Sequence, residues 1–192
     1  YTSITWADYD NDGFLDGLVG AERGVLGLFR NLAGQGFTNV AASAFPSPLT
    51  NCLAWSAVDY DNDGWQDLVV MLLTPTFQSV LFRNNGDGTF TSKNIGGGPT
   101  GVPGELCWGD YNNDGFLDVL VLYNPGVRNS LFRHNGNTNH WLKVKLDGRV
   151  SNRCGIGAKV RVNATIGGTN FWQMREISGQ GHVQYDNGLL AH

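Results

Sequence analysis

The sequence predicts an all-β protein in which β-propeller blades are followed by a small C-terminal β module. An acidic stretch of nine residues occurs three times, opening at Asp8, Asp59 and Asp110, so that the period is 51 residues both times. Each copy is followed by a short run rich in valine and leucine, and then by the letters LFRN or LFRH. A period near 50 residues is typical of propeller blades. Glycine, with 27 of 192 residues, suits a chain of many short strands and turns.

Each repeat is predicted to contain four strands, which is the composition of a propeller blade. The first strand ends just before the acidic stretch, and the third carries the LFR letters. The second strand is the apolar run, which lies at Leu15 to Val19, Leu68 to Leu73 and Val119 to Tyr123. The fourth follows a hairpin, for which Asn85-Gly86 predicts a type I′ turn because both residues tolerate positive φ angles.

These patterns divide the chain into two parts. Residues 1–138 are predicted to form the repeats, with blades at approximately 1–50, 51–101 and 102–138. Residues 139–192 are predicted to form the C-terminal module, where WLKVKL and AKVRVNA alternate apolar with polar side chains as in strands with one buried face.

The acidic residues are concentrated in the three nine-residue loops. Eleven of the 17 Asp and Glu residues lie there, whereas the rest of the chain combines six acids with all 13 Lys and Arg residues. The net charge of −4 is therefore a property of the loops and not of an acidic solvating surface. We expect no nucleic-acid partner, and the absence of any run of 18 apolar residues predicts no membrane span.

The spacing of oxygen donors in the loops predicts calcium. Donors stand at loop positions 1, 3, 5 and 9, and glycine at position 6 permits a sharp bend. A backbone carbonyl at position 7 would complete the oxygen shell that Ca²⁺ prefers. One ion per loop is predicted, with these ligands: Asp8, Asp10, Asp12, Phe14 and Asp16; Asp59, Asp61, Asp63, Trp65 and Asp67; and Asp110, Asn112, Asp114, Phe116 and Asp118.

Two other interpretations of the loops fit the sequence less well. An EF-hand needs glutamate at position 12, where this chain has Val19, Val70 and Val121. Ordinary turns also use Asp, Asn and Gly, but three turns in register are better explained by a metal. The third loop should bind most weakly, because Asn112 replaces a carboxylate.

Arg30, Arg83 and Arg133 recur at one strand position. Either they form a ring of surface cations for an anionic partner, or they pair with loop carboxylates from blade to blade; we favour the second. No catalytic motif is recognisable, since the histidines lack metal-ligand spacing and neither a nucleophile elbow nor a phosphate-binding loop is present. We therefore expect that the chain is not an enzyme.

The repeats resemble a known family. WADYDNDGFLD, AVDYDNDGWQDLVV and WGDYNNDGFLDVLVL, each followed by an LFRN-type strand, are similar to FG-GAP or VCBS-type repeats. The resemblance implies a β-propeller with Ca²⁺ in loops that join two strands of one blade. Because such propellers usually have seven blades and three are found here, we expect the chain to be a fragment.

A second resemblance starts at Asn139. NHWLKVKLDGRVSNRCGIGAKVRV and the later QMREISGQG resemble the ASPIC/UnbV domain, which follows such repeats in the cartilage acidic protein family. Cys154 and the stretch after Gly181 depart from that pattern, and the domain is predicted to be truncated.

From these observations we predict a secreted or cell-surface calcium-binding protein that acts in binding or adhesion to a protein or glycan. Two alternatives stay open. The chain could be the non-catalytic part of a polysaccharide-active enzyme, or a structural protein that assembles into fibres or a surface coat. Open blade edges would also favour self-association.

Overall fold

The prediction of an all-β protein is confirmed. The structure is a computed structural model that describes residues 2–21, 24–73, 77–96, 103–123, 128–150, 152–166, 168–177 and 190–191. Within these ranges the only helix is the four-residue α1 at Ala41–Ala44. The later part of the C-terminal module, including Gly181, and the exact start and end of the chain lie outside the described residues.

The first two repeats each form a four-stranded antiparallel sheet with strands in chain order. The first sheet contains β1 (Thr2–Ala7), β2 (Asp16–Ala21), β3 (Gly27–Asn31) and β4 (Phe37–Asn39). The second contains β5 (Cys52–Val58), β6 (Asp67–Leu73), β7 (Phe77–Asn84) and β8 (Phe90–Gly96). This is the meander expected of propeller blades.

The third repeat shows three strands in the described part of the chain. These are β9 (Pro103–Gly109), β10 (Asp118–Tyr123) and β11 (Ser130–Phe132), in the order β11-β10-β9. The predicted apolar runs thus become the second strand of each sheet. Each of these strands begins at the last aspartate of the loop before it.

One detail of the predicted hairpin is wrong. β7 and β8 pair antiparallel, but five residues separate Asn84 from Phe90, and Asn85 does not have a positive φ angle. Gly86 and Gly88 adopt φ angles of 75° and 84° instead. The turn is therefore not type I′, because that turn needs two consecutive residues at positive φ.

Two hydrophobic cores lie on opposite sides of the second sheet. The first core joins the first and second sheets, and Trp55, Phe82 and Phe90 belong to it. The second core joins the second and third sheets through residues such as Leu106 and Val121.

Strand β6 shows why the middle sheet is apolar on both faces. Leu68 and Val70 enter the first core, whereas Val69 and Met71 enter the second. Successive side chains of a strand point to opposite faces, so a strand between two neighbouring sheets must be apolar throughout. The apolar sequence of β6 after Asp67 therefore suits a blade packed between two others.

The C-terminal unit, residues 139–192, contains two strand pairs among its described residues. Strand β12 (Val144–Lys145) pairs with β15 (Leu190–Ala191), and β13 (Lys159–Ile166) pairs with β14 (Thr169–Glu176). Along β13 exposed and half-buried residues alternate, as the sequence predicted. Among its described residues, Met174 and Ile177 are the buried apolar ones. In the described ranges, no helix has the length and apolar character needed to cross a membrane.

Candidate metal sites in the three acidic loops

Each acidic loop connects the first and second strands of one sheet, and the three loops share one backbone conformation. The glycines at position 6, Gly13, Gly64 and Gly115, have φ angles between 87° and 91°. The asparagine at position 4 of each loop is also left-handed, with φ between 56° and 58°. Asparagine and glycine are the residues that tolerate this region best, so the local sequence specifies the bend.

The aspartate at position 1 organises the start of each loop. Its two carboxylate oxygens accept the backbone N–H groups of positions 5 and 6, and all six of these distances are 3.0 Å. The carboxylate at position 5 in turn accepts the N–H group of position 7. The same bonds therefore recur in three segments with the same donor spacing.

The aspartate at position 9 ties each loop to the third strand of its sheet. Asp16, Asp67 and Asp118 are at most 2% exposed. Each accepts the backbone N–H of the residue after the recurring LFR segment, at 2.7 to 2.8 Å. This bond explains why the LFRN letters keep a fixed distance from the loops.

In the first two loops, the carboxylates of positions 1, 3 and 9 converge. Asp8, Asp10 and Asp16 each offer an oxygen within 4.8 Å of the others, and Asp59, Asp61 and Asp67 do the same. The position-5 carboxylates lie outside these two groups. Such a concentration of carboxylate oxygens suits a hard divalent cation.

Two observations support the fit of a cation. The Oδ1 atom of Asp10 and the Oδ2 atom of Asp118 are buried, and no donor within the described residues reaches them. Burial also raises the pKa of four carboxyl groups: Asp8 to about 6, Asp16 and Asp59 to about 7, and Asp67 to about 8. Buried carboxylates so close together need a positive charge nearby to remain ionised.

The third loop has the same backbone but a different set of side-chain contacts. The Asn112 amide donates to an oxygen of Asp114 at 2.8 Å, and its carbonyl oxygen accepts the Asp114 N–H at 3.0 Å. Because Asn112 brings no charge, this loop has three carboxylates where the others have four.

The aromatic residues at position 7 differ in their surroundings. Phe14 is 39% exposed, whereas Trp65 stacks on Phe171 and Phe116 stacks on His134, with ring centroids 5.3 and 4.9 Å apart. That their backbone carbonyls serve as ligands stays a prediction.

The recurring arginines pair with loop carboxylates, but within one blade. Arg30 lies 2.6 Å from Asp10, and Arg133 lies 3.1 Å from Asp114. Arg83 pairs with Asp61 at 3.0 Å and also with Asp63. The expected pairing from blade to blade is thus wrong. The second and third strands of one sheet are antiparallel neighbours, so the end of the third strand lies beside the start of the second. The arginine at that end of the third strand therefore reaches the loop that precedes the second strand.

Position 4 supplies a contact between blades that the sequence reasoning missed. The Asn11 amide donates to the Gly64 carbonyl at 3.1 Å, and the Asn62 amide donates to the Gly115 carbonyl at 2.8 Å. Each loop is thereby bonded to the next. The recurrence of asparagine at position 4 in all three loops was the available signal.

The C-terminal unit lies against the second and third loops. Lys143 lies 3.0 Å from Asp110, and Arg175 lies 3.3 Å from Asp59. The Asn139 side chain, with that of neighbouring Asn137, donates to the Asp61 carbonyl at 2.9 and 2.6 Å respectively. None of these contacts was predicted, because 33 to 116 residues separate the partners in sequence.

Comparisons with known proteins agree with the repeats. A family model described as an FG-GAP-like repeat matches residues 8–70 and 78–121, a range that includes all three acidic loops. No curated protein matches the chain.

Proposed function

Because this chain belongs to the FG-GAP-like repeat family, we propose that it is an extracellular calcium-binding β-propeller protein that acts by binding or adhering to a protein or glycan. The observation that carries the calcium role is the threefold loop. Three segments spaced 51 residues apart fold alike. The carboxylates of the first two loops converge, and the first and third loops each contain a buried carboxylate oxygen without a donor among the described residues.

The loop residues divide the work of holding an ion. The position-1 and position-9 aspartates are fixed by backbone N–H groups, so that their orientation is set before an ion arrives. The position-3 carboxylate adds charge, and the strand arginine limits the excess of negative charge. A bound Ca²⁺ would supply the positive charge that these buried oxygens lack.

Calcium titration tests this proposal directly. Calcium chloride is added in a calorimeter to protein stripped of metal by a chelator, and three ions per chain are expected. A matched variant carries Asp8→Asn, Asp59→Asn and Asp110→Asn, which keep side-chain size and lose charge. It should bind far more weakly. A wild-type protein that is folded and binds no calcium would disprove the proposed role.

An extracellular setting is supported by two arguments. FG-GAP-like repeats are typical of extracellular proteins. We also expect open carboxylate loops to bind calcium weakly, so that they fill only at the high calcium concentration outside cells. A glycan array and a set of matrix proteins, probed with calcium and with chelator, would test the binding role. Binding that requires calcium is expected for at least one ligand.

We also propose that the chain acts without catalysis. The support is the lack of a recognisable nucleophile or acid–base motif in the sequence. A panel of polysaccharides incubated with the protein should show no cleavage. Calcium-dependent cleavage that is lost when Trp141 is changed to alanine would contradict this and favour a polysaccharide-active enzyme.

The third sheet offers a surface for self-association of two copies of this chain. Leu131 and Phe132 on β11 are 54% and 47% exposed, and Leu120 on β10 is 36% exposed. Exposed apolar residues on an outer sheet invite a second sheet to pack there. Sedimentation should show concentration-dependent oligomers that Leu131→Lys disrupts, and a monomer at all concentrations would contradict the proposal.

A further inference from the structure

We propose that the C-terminal unit sets the calcium affinity of the second and third loops, by pairing its own cations with their position-1 aspartates. Lys143 thereby lowers further the affinity of the third loop, which already has one carboxylate fewer because of Asn112. This inference rests on the proposed calcium-binding function and assigns the C-terminal unit a role in it.

The contact of Lys143 with the third loop is specific and largely buried. Its Nζ atom lies 3.0 Å from Oδ2 of Asp110, and the two side chains are 23% and 2% exposed. The same oxygen accepts the N–H of Gly115 at 3.0 Å. The ammonium thus binds the carboxylate that orders the start of the loop.

Trp141 holds the segment that carries Lys143 against the loop. The indole ring packs so closely on Gly115 that a Cβ atom there would lie 1.9 Å from it. The Lys143 ammonium lies 6.0 Å from the centre of the same ring. Glycine at position 6 therefore serves two purposes, since it provides the positive φ angle and makes room for the C-terminal unit.

Arg175 makes the corresponding contact with the second loop. Its guanidinium lies 3.3 Å from Oδ2 of Asp59, and the side chains are 19% and 12% exposed. With the Gln66 amide turned so that its oxygen faces Arg175, that oxygen accepts from the guanidinium at 2.7 Å. Gln66 precedes the position-9 aspartate, so Arg175 touches both ends of the loop.

The charges of the two loops explain why the consequences differ. With every carboxylate ionised, as it would be around a bound cation, the second loop has four negative charges, and Arg83 and Arg175 leave a net charge of −2. One divalent cation would neutralise it. The third loop has three carboxylates, and Arg133 and Lys143 leave a net charge of −1. A divalent cation would leave that loop with an excess positive charge, which lowers its affinity.

The coupling must act in both directions. A cation beside a carboxylate weakens the attraction of that carboxylate for a second cation. By linkage, filling the third loop then weakens the hold of Lys143 on Asp110 by the same factor. The contact between the C-terminal unit and this loop therefore depends on calcium concentration.

Lys143→Gln tests the inference, with Lys145→Gln as the matched control. Lys145 lies two residues further along on β12, is exposed, and has the same charge. Calcium chloride is titrated into the metal-stripped full chain by calorimetry. In the wild type we expect one site weaker than the other two. Lys143→Gln should raise the affinity of that site about fivefold or more, whereas Lys145→Gln should leave it unchanged.

Two more variants separate charge from packing. Lys143→Met keeps the aliphatic stem over Trp141 and should raise the affinity as Lys143→Gln does, even if the glutamine variant folds poorly. Lys143→Arg keeps the charge and should resemble the wild type. Circular dichroism of each metal-free variant shows whether it is folded.

The possible failures are distinguishable. If the folded wild type binds no calcium, the proposed function itself is wrong. If it binds three ions and the affinities of Lys143→Met and wild type agree, only the role of the C-terminal unit is wrong. An equal rise in calcium affinity in Lys145→Gln would also overturn the inference. The effect would then come from the net charge of the chain and not from the contact of Lys143 with Asp110.

Discussion

Asp67→Asn should stabilise the metal-free protein and remove part of its response to calcium. Asp67 is fully buried, and burial raises the pKa of its carboxyl group to about 8. At pH 7 the unfolded chain, with the ordinary value of 3.8, holds this group ionised while the folded protein keeps it protonated. Asparagine has the same shape and no charge to bury, so it removes this penalty.

The magnitude follows from the shift. About three pKa units lie between 3.8 and pH 7, which corresponds to about 4 kcal/mol of unfolding free energy. Asp67 accepts hydrogen bonds from the backbone N–H groups of Asn84 and Tyr60. The variant loses one of these two bonds, because the amide nitrogen of asparagine cannot accept, and this loss costs about 1 kcal/mol. The net gain of about 3 kcal/mol corresponds to a melting temperature about 6–12 °C higher for a chain of this size.

Calcium should then help the variant less than the wild type. For sites with a Kd of roughly 10⁻⁴ M in millimolar calcium, each site adds about 1.4 kcal/mol, so three sites add about 4 kcal/mol. Losing the second loop should reduce this increment by about a third.

The assay is thermal unfolding at pH 7, in chelator and in 1 mM calcium chloride. Asp87→Asn serves as the control, because Asp87 is an exposed acid in the hairpin outside the loops. The side-chain oxygen of asparagine can still accept the hydrogen bond that the Thr89 N–H donates to Asp87. That variant should change neither melting temperature. If Asp67→Asn melts below the wild type in chelator and keeps the full calcium increment, the reasoning about buried charge and metal binding is wrong.

The remaining predictions concern pH, ligand charge and contacts between loops. Burial raises the pKa of Asp16 to about 7, so the stability of the metal-free protein should fall as pH rises from about 4 to 7. Calcium should flatten this dependence in melts across that range. Asp59→Ala should reduce the calcium increment in melting temperature more than Asn112→Ala, because it removes a charged ligand; equal losses would contradict the assigned ligand order. Asn62→Gly should lower the free energy of unfolding by about 1 kcal/mol, because the Asn62 amide donates a hydrogen bond to the next loop. Asn113→Gly, at a position with the same backbone conformation, should lower it less, and urea titrations would measure both.

The repeats and their loops could be predicted from the sequence because their causes are local. Asparagine at position 4 and glycine at position 6 fix the bend of each loop, and the apolar run after position 9 forms the next strand. A period of 51 residues repeats these local causes, so one loop predicts the other two. The turn at Asn85-Gly86 was predicted wrongly, because the pairing of β7 with β8 placed five residues in the connection and not two.

The partners of the loops were decided by the tertiary structure. Asp67 was visible as a donor at position 9, but its burial depends on two cores that close around β6. Arg83 was expected to reach another blade, and the register of β6 with β7 placed it beside its own loop. In the sequence Lys143 and Arg175 have no evident link to calcium, and only the docking of the C-terminal unit brings their charges to Asp110 and Asp59. The sequence by itself therefore determined which oxygens each loop offers, since donor spacing is local. Which cations meet those oxygens depends on contacts between residues far apart in the chain, and only the packed structure creates these.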